Sequence, residues 1–283
     1  SSKSVVRSEA IDCIAAYKAL QNASRDSLML RYKVINALRT LYKSEKNQDI
    51  MIKIIYLMSK MSAVSTLEFL IDVLKNSNVY YRAEAISALS NYNDLAVVRL
   101  VEPYLNSDSD KEKIAAVIAL FQFKEFNSRV LGIIDVFLDS KNQEKVEHAL
   151  YAIGELKLKH KKLVCLKYLH DKNVDLQLNA IVALIKIGVT EAIPSLIRLL
   201  ITGDEKLINK SHRLLANVDV RISKNLDKIV KQVVTDRVKE VMDINGGRYL
   251  TDLEKDDLLI LKNMYLLGRQ YEEVELINNL IKT

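Results

Sequence analysis

Apolar positions recur along most of this chain at a nearly constant interval. The clearest copy of the repeating unit is Asn78 to Tyr92, in which a polar residue precedes one amphipathic helix. We take Ala85 as its reference position. Successive reference positions are separated by 44, 31, 31, 33, 31 and 31 residues. A period of this length predicts a stacked-repeat architecture. The reference positions are Ala10, Ile54, Ala85, Ala116, Ala149, Ala180 and Ser211.

Each repeat divides into two segments with the i, i+3, i+4, i+7 spacing that predicts amphipathic helices. Val5 to Leu20 is predicted as a second helix without a first, and Ser27–Tyr42 and Asn47–Met61 as a longer pair. The remaining first helices are predicted at 65–75, 95–105, 127–138, 160–170 and 190–200. Their second helices are predicted at 79–92, 110–123, 143–156, 174–187 and 205–217.

Two sets of equivalent positions support this division. Seven residues before the reference positions stand favoured N-cap residues, whose side chains accept hydrogen bonds from unpaired helix amides. They are Asn47, Asn78, Ser109, Asn142, Asn173 and Asp204. The residues eleven positions before the reference positions, from Ala85 onward, are leucines that would pack each first helix against its partner: Leu74, Leu105, Leu138, Leu169 and Leu200. A single pair cannot bury its own apolar face, so neighbouring pairs must complete the core.

The pattern changes after Val220. Residues 223–242 favour one long helix or a degraded pair, which Gly246 and Gly247 end. Thr251 to Glu254 resembles a capping box for a helix ending near Gly268, and a last helix is predicted from Tyr271 to Ile281. We therefore expect a repeat array at 1–220 and a C-terminal helical cap at 221–283. The array begins in mid-repeat, so we also expect that something precedes residue 1.

Two segments resemble HEAT repeats. Glu191 to Leu200, with Pro194, is similar to the first HEAT helix, and the pattern from Tyr81 to Leu89 is similar to the second. The resemblance covers roughly residues 4–220. It implies an all-α, right-handed α-solenoid, an armadillo-type superhelix, that serves as a scaffold or adaptor. Bacterial HEAT proteins of the bilin-lyase group look similar at this level, although nothing here points to a bilin.

In HEAT proteins an arginine of the second helix commonly ties neighbouring repeats together. The matching positions here are Arg7, Arg82 and Lys113. Val146, Gln177 and Ile208 depart from the pattern, so charge pairs between repeats are not expected beyond the third pair.

Composition changes this picture little. The net charge of +6 is a small excess of 42 basic over 36 acidic residues and is read as spread over most of the chain. Cys13 and Cys165 occupy core positions of the repeat, so both are predicted to be packing residues, which suits a cytoplasmic protein. No apolar run is long enough to span a membrane. A soluble part of a membrane-anchored protein remains a further possibility.

Chemical motifs are sparse. None of the four histidines has a second His or Cys three or four residues later, and no Cys-x-x-Cys or phosphate-binding glycine motif occurs. We therefore predict a protein that is not an enzyme and that holds no cofactor or metal.

Candidate partner contacts come from second-helix positions outside the predicted core, which line the concave face in HEAT arrays. An apolar series among them, Ile118, Tyr151 and Val182, would suit an extended segment or a partner helix. The alternative is that these residues pack against adjacent helices. The candidate residues are Ser87, Asn91, Ile118, Gln122, Tyr151, Glu155, Val182, Lys186, Lys210 and Arg213.

A nucleic-acid backbone is the second predicted partner. Lys186, Lys210, Arg213 and the run His160 to Lys162 could neutralise phosphates. Acidic residues such as Glu84, Glu147 and Glu155 share the same general faces, and the chain contains no Trp. A protein partner is therefore the preferred hypothesis.

Overall fold

The computed structural model describes most of the chain in two compact units, residues 1–137 and 138–283. The described residues are 4, 6–8, 10–11, 14, 25–61, 64–92, 94–201, 205–215, 228, 232, 258–259, 262 and 271–282. Throughout these residues the secondary structure is helical, with short turns between the helices. The predicted all-α fold built from helix pairs is confirmed.

Unit 1 contains helices whose bounds follow the predicted pairs closely. Their order is α1 (Arg25–Ser44), α2 (Gln48–Lys60), α3 (Val64–Asn76), α4 (Val79–Leu89), α5 (Leu95–Val101), α6 (Asp110–Leu120) and α7 (Asn127–Leu138), whose last residue belongs to unit 2. A 3-10 helix, Glu102–Asn106, continues α5 with Pro103 in its first turn. Second helices pack on their neighbours, α2 on α4 and α4 on α6.

Unit 2 continues the same alternation. Its helices are α8 (Gln143–Glu155), α9 (Lys162–Lys167), α10 (Val174–Lys186), α11 (Ile193–Ile201), α12 (Glu205–Leu215) and α13 (Tyr271–Lys282). Short 3-10 turns, Lys159–Lys161 and Thr190–Ala192, introduce α9 and α11. The predicted last helix is confirmed as α13. The predictions for Val5–Leu20, residues 223–242 and the capping box at Thr251 fall largely or wholly outside the described residues.

The predicted N-caps are confirmed wherever they are described. Asn47, Asn78, Ser109, Asn142 and Asn173 all have extended backbones, and their side-chain oxygens accept from amides of the first helical turn. The Asn173 Oδ1, for example, accepts from the amides of Asp175 and Leu176 at 2.8 and 3.2 Å. Asp204 lies outside the described residues.

The repeat also accounts for the core. Fifteen residues before the reference positions from Ala85 onward, each first helix carries a side chain that is at most 2% exposed, in the series Leu70, Val101, Ile134, Cys165 and Leu196. The reference positions Ile54, Ala85, Ala116, Ala149, Ala180 and Ser211 are fully buried. Of the predicted leucines, Leu74 and Leu105 are buried, Leu138 and Leu169 are half-buried, and the side chain of Leu200 is not described.

Small residues allow the second helices of unit 2 to approach closely. A Cβ added at Gly154 on α8 would lie 3.0 Å from the Cα of Ala183 on α10. Ala152 and Ala183 stand three residues after their reference positions, where the sequence predicted close approach, and both are buried. The contact is therefore made by backbone against backbone, which leaves no room for a larger residue.

Two helix C-termini in unit 2 end in the same Schellman geometry, with different residues at the left-handed position. Gly188 has φ +97° and follows α10, whereas Lys157 has φ +51° and follows α8. In both, the amide of the following residue donates to a carbonyl five residues earlier. The Leu158 amide donates to the Ile153 carbonyl at 3.0 Å, and the Val189 amide donates to the Leu184 carbonyl at 2.8 Å. Glycine adopts this conformation without strain, whereas a lysine does not.

Replacing Gly154 by Ala should destabilise the protein by about 1–3 kcal/mol because the new methyl group must displace α10. Urea unfolding followed by circular dichroism measures the change. Gly132→Ala is the matched control, since nothing lies within 4 Å of a Cβ added there within α7. That control should be neutral or stabilising by up to about 1 kcal/mol. Equal effects at both sites would contradict the close packing of α8 on α10.

Replacing Lys157 by Gly should stabilise unit 2 by about 1 kcal/mol because it removes the left-handed strain of a side-chain-bearing residue. The thermal unfolding midpoint of the variant reports the effect. Gly188→Ala, at the equivalent position, should move the midpoint in the opposite direction. A lower midpoint for Lys157→Gly would show that the lysine side chain contributes more than its backbone strain costs.

Candidate functional site: the second-helix face

Two arginines of the second-helix pattern form ion pairs within unit 1, as the HEAT resemblance implies. The Arg7 Nε and Nη2 donate to the two carboxylate oxygens of Glu45, at 2.7 and 3.1 Å. The Arg82 Nε donates to Glu112 at 2.7 Å, and its Nη1 donates to the Ser77 carbonyl. Both carboxylates are buried, and paired donors of this kind offset the cost of desolvating them.

A second set of polar residues was missed by sequence reasoning. Nine residues before the reference positions, Glu45, Ser107, Ser140 and Asp171 each accept a hydrogen bond from the backbone amide of the N-cap two residues later. The distances range from 2.8 to 3.1 Å. A polar residue two positions before each cap was the available signal, since such side chains commonly bond the backbone locally.

The positions six residues after the references link neighbouring second helices. In unit 1 the Gln122 amide donates to the Ser90 carbonyl at 3.1 Å, one repeat earlier, and also to the Ala119 carbonyl. The Asn91 amide donates within its own repeat to the Ala88 carbonyl. Both side chains are exposed. Gln122 thus joins two repeats while remaining accessible.

In unit 2 the position six residues after the reference Ala180 is occupied by a buried lysine. Lys186 is 5% exposed, its ammonium pairs with Glu155 one repeat earlier, and it lies 5.8 Å from the centre of the Tyr151 ring. The expectation that Lys186 faces outward is wrong, because the aliphatic stem is buried and the charge is neutralised within the unit. The prediction that charge pairs between repeats end after the third helix pair is also wrong, because Lys186 and Glu155 form an ion pair between two later repeats.

Lys210 is also engaged. Its ammonium pairs with Asp175 and lies 3.7 Å from a Glu147 oxygen, so it connects three successive second helices. Burial raises the pKa of Glu147 above its ordinary value, and the neighbouring Lys210 opposes this rise. The side chain of Arg213 lies outside the described residues. Two of the cations proposed for phosphate binding, Lys186 and Lys210, therefore already have carboxylate partners.

Among the described side chains two residues after the references, only Val182 is buried. Ser87 and Ile118 are half-buried in unit 1, and Tyr151 is half-buried in unit 2. Val182 is 3% exposed, so the expectation that it faces a partner is wrong. The alternative, packing against adjacent helices, holds for Val182 because it is enclosed within the core of unit 2.

Two exposed tyrosines of unit 1 were missed among the candidates. Tyr56 stands at the same repeat position as Ser87 and Ile118, is 44% exposed, and has the Lys60 ammonium 5.0 Å from its ring centre. Tyr80 is 50% exposed and has the Lys111 ammonium 4.4 Å from its ring centre, so this pair joins α4 to α6. Tyr56 was detectable from its repeat position alone.

We define the unit 1 face as eight of the accessible side chains on α2, α4 and α6 and the turns that follow them. These are Tyr56, Lys60, Tyr80, Ser87, Asn91, Lys111, Ile118 and Gln122. Tyrosines flanked by lysines suit a protein partner, because the rings supply large contact areas with little conformational freedom to lose.

Groups capable of nucleophilic or metal chemistry are placed unfavourably. Cys165 is fully buried, and burial raises the pKa of its thiol to about 12, so it is a packing residue as predicted. His160 and His170 are exposed and His148 is half-buried. Within the described part of the chain, no cluster of His, Cys, Asp and Glu could hold a metal ion. Cys13 and the His212 side chain are not described.

No model of a known protein family and no curated protein matches this chain. Among solved structures, it is similar to human deoxyhypusine hydroxylase in complex with glycerol, at 12% identity and a TM-score of 0.40, over 90% of this chain and 98% of that one. It is also similar to a chain of the Kap95:Nup1 complex, at 12% identity and a TM-score of 0.40, over 96% of this chain and 42% of that one. Values this low carry no argument about function.

The ion pair of Glu45 should make stability depend on pH. Hydrogen bonds from Arg7 and then from the Asn47 amide lower the pKa of this carboxyl from 4.5 to about 2. The stabilisation is therefore complete above pH 4.5 and is lost as the pH falls through about 2. Glu45→Gln should reduce the change in unfolding free energy between pH 4.5 and about 2, measured by urea titration at several pH values. The exposed Glu125→Gln should leave the slope unchanged, and a slope retained in Glu45→Gln would contradict the assignment.

Proposed function

We propose that the protein is a non-enzymatic scaffold or adaptor of HEAT-like helix pairs, and that a protein partner binds the unit 1 face. The observation that carries this proposal is the contrast between equivalent positions in the two units. At the positions two and six residues after the references, unit 2 has Val182 and Lys186 buried and Tyr151 and Glu155 half-buried. The residues at these positions in unit 1 are all exposed or half-buried: Tyr56, Lys60, Ser87, Asn91, Ile118 and Gln122.

The chemistry of the unit 1 face favours a protein over nucleic acid. Its aromatic and aliphatic side chains are Tyr56, Tyr80 and Ile118, and Lys60 and Lys111 already lie over the tyrosine rings. Apolar contact should give an affinity that changes little with salt, whereas phosphate contacts lose affinity steeply as salt rises. A salt titration of the purified complex therefore separates the two partner classes.

Tyr56→Ala should weaken the partner interaction at least about fivefold, since truncating a buried aromatic anchor commonly costs more than about 1 kcal/mol. Ile118→Ser should weaken the same interaction. The measurement is quantitative mass spectrometry of proteins retained by the tagged chain, followed by titration of the purified partner. Leu95→Ala, at a residue 68% exposed on the first helix α5 of the same unit, is the control.

A partner retained equally by all these variants would place its site elsewhere. A catalytic turnover that survives purification and disappears with one polar substitution would overturn the non-enzymatic assignment.

A further inference from the structure

The positive charge of this chain is concentrated in one short segment of unit 2. Residues 157–172 contain six lysines and one aspartate, a net charge of +5, against +6 for the whole chain. The expectation of an evenly spread excess is therefore wrong. The segment includes the 3-10 turn Lys159–Lys161 and helix α9.

One side of this segment is exposed and combines cations with leucines. Leu163 is 73% exposed and Leu166 is 37% exposed. The opposite side, with Leu158 and Cys165, is buried, and α9 packs against α10. We call the exposed side the basic strip; it consists of Lys159, His160, Lys162, Leu163, Leu166, Lys167 and His170.

The basic strip reverses the usual polarity of a first helix in this protein. Eighteen residues before the reference positions from Ala85 onward, the first helices other than α9 carry apolar residues, whereas α9 carries the exposed Lys162. These residues are Leu67, Val98, Leu131 and Ile193. At the next position, α9 carries Leu163, and the others carry Glu68, Arg99, Gly132 and Pro194, all exposed. Repeat packing requires neither exchange, so the fold does not account for the projecting leucine.

The lysines of the strip are available for an external anion. Lys159, Lys162 and Lys167 are exposed, and none is ion-paired with a carboxylate among the described residues. This contrasts with Lys186 and Lys210 in the same unit, whose ammonium groups are paired. Lysines on both sides of Leu163 call for a partner that is negatively charged and accepts an apolar side chain.

We propose that the basic strip docks on an anionic lipid surface, with Leu163 inserted between head groups and the lysines bound to their phosphates and carboxylates. A basic helical face with projecting leucines suits the membrane interface, where lysine stems extend along the apolar region and their charges stay in water. A nucleic-acid backbone attracts lysines but provides no apolar environment for Leu163. A protein partner would need a pocket for that leucine, whereas a bilayer accepts it without one.

This docking is peripheral. Among the described helices, none is long and apolar enough to cross a bilayer. The lipid-docking proposal is also independent of the protein partner proposed for the unit 1 face, so either proposal can fail without the other.

The test is sedimentation of the full chain with phosphatidylcholine vesicles that contain about 30% phosphatidylserine or none. Binding is expected only with phosphatidylserine and should fall as salt rises from about 0.1 M to about 1 M. Neutralising two lysines in Lys159→Gln/Lys162→Gln should weaken binding about 25-fold, at about fivefold per lysine. Leu163→Ser should weaken it roughly tenfold.

Matched controls are available on exposed residues outside the strip. Lys124→Gln/Lys141→Gln removes the same charge, and Val136→Ser removes an apolar side chain that is 69% exposed. Both controls should bind the vesicles with affinity close to that of the unaltered protein. Circular dichroism of every variant checks that the helices are retained.

The proposal is overturned if the vesicles do not bind at about 0.1 M salt. Equal losses in the strip variants and their controls would also overturn it, since binding would then reflect net charge alone. Tighter binding of a duplex oligonucleotide or of polyglutamate than of the vesicles would assign the strip to nucleic acid or to an acidic protein instead.

Discussion

The close approach of successive second helices is the constraint on which this structure depends. A helix pair of about 31 residues cannot enclose its own apolar face, so each pair is completed by its neighbour. At the Gly154–Ala183 contact the backbones touch, and the residues equivalent to Ala183 in the preceding repeats are the buried alanines Ala88, Ala119 and Ala152. Because the core positions pack between neighbouring repeats, only side chains outside the contacts between successive helices are accessible for recognition.

The hydrogen bonds and ion pairs of the polar side chains also depend on this stacking. Each described N-cap side chain accepts from amides of its own helix. At four of these caps, the side chain two positions earlier accepts a hydrogen bond from the backbone amide of the cap. Links between repeats use whichever residue lies nearest the next helix: Arg82 with Glu112, Gln122 with the Ser90 carbonyl, and Lys186 with Glu155. These links combine charged and neutral groups, whereas the HEAT resemblance implied an arginine at one repeated position. Buried polar groups need partners, but the partners need not be of one kind.

Two surfaces among the described residues present accessible side chains of different chemistry. The unit 1 face presents tyrosines with lysines over their rings, and the basic strip of unit 2 presents leucines between exposed lysines. They differ in chemistry: the first offers flat aromatic area, and the second offers positive charge with a projecting apolar group. The two proposals assign these surfaces to different partners, a protein for the unit 1 face and an anionic lipid surface for the basic strip.

Helix bounds, N-caps and core positions were predictable from the order of residues because they depend on local hydrogen bonding and on a 31-residue period that is visible along the chain. Partner contacts were less predictable, because the exposure of a non-core position depends on the neighbouring repeat. Val182 and Ile118 occupy equivalent positions, yet Val182 is buried and Ile118 is partly accessible. Lys186 was expected on the surface, but a carboxylate one repeat earlier and a buried stem place it inside. Such contacts join residues about 31 positions apart, and only the packed helices bring them together.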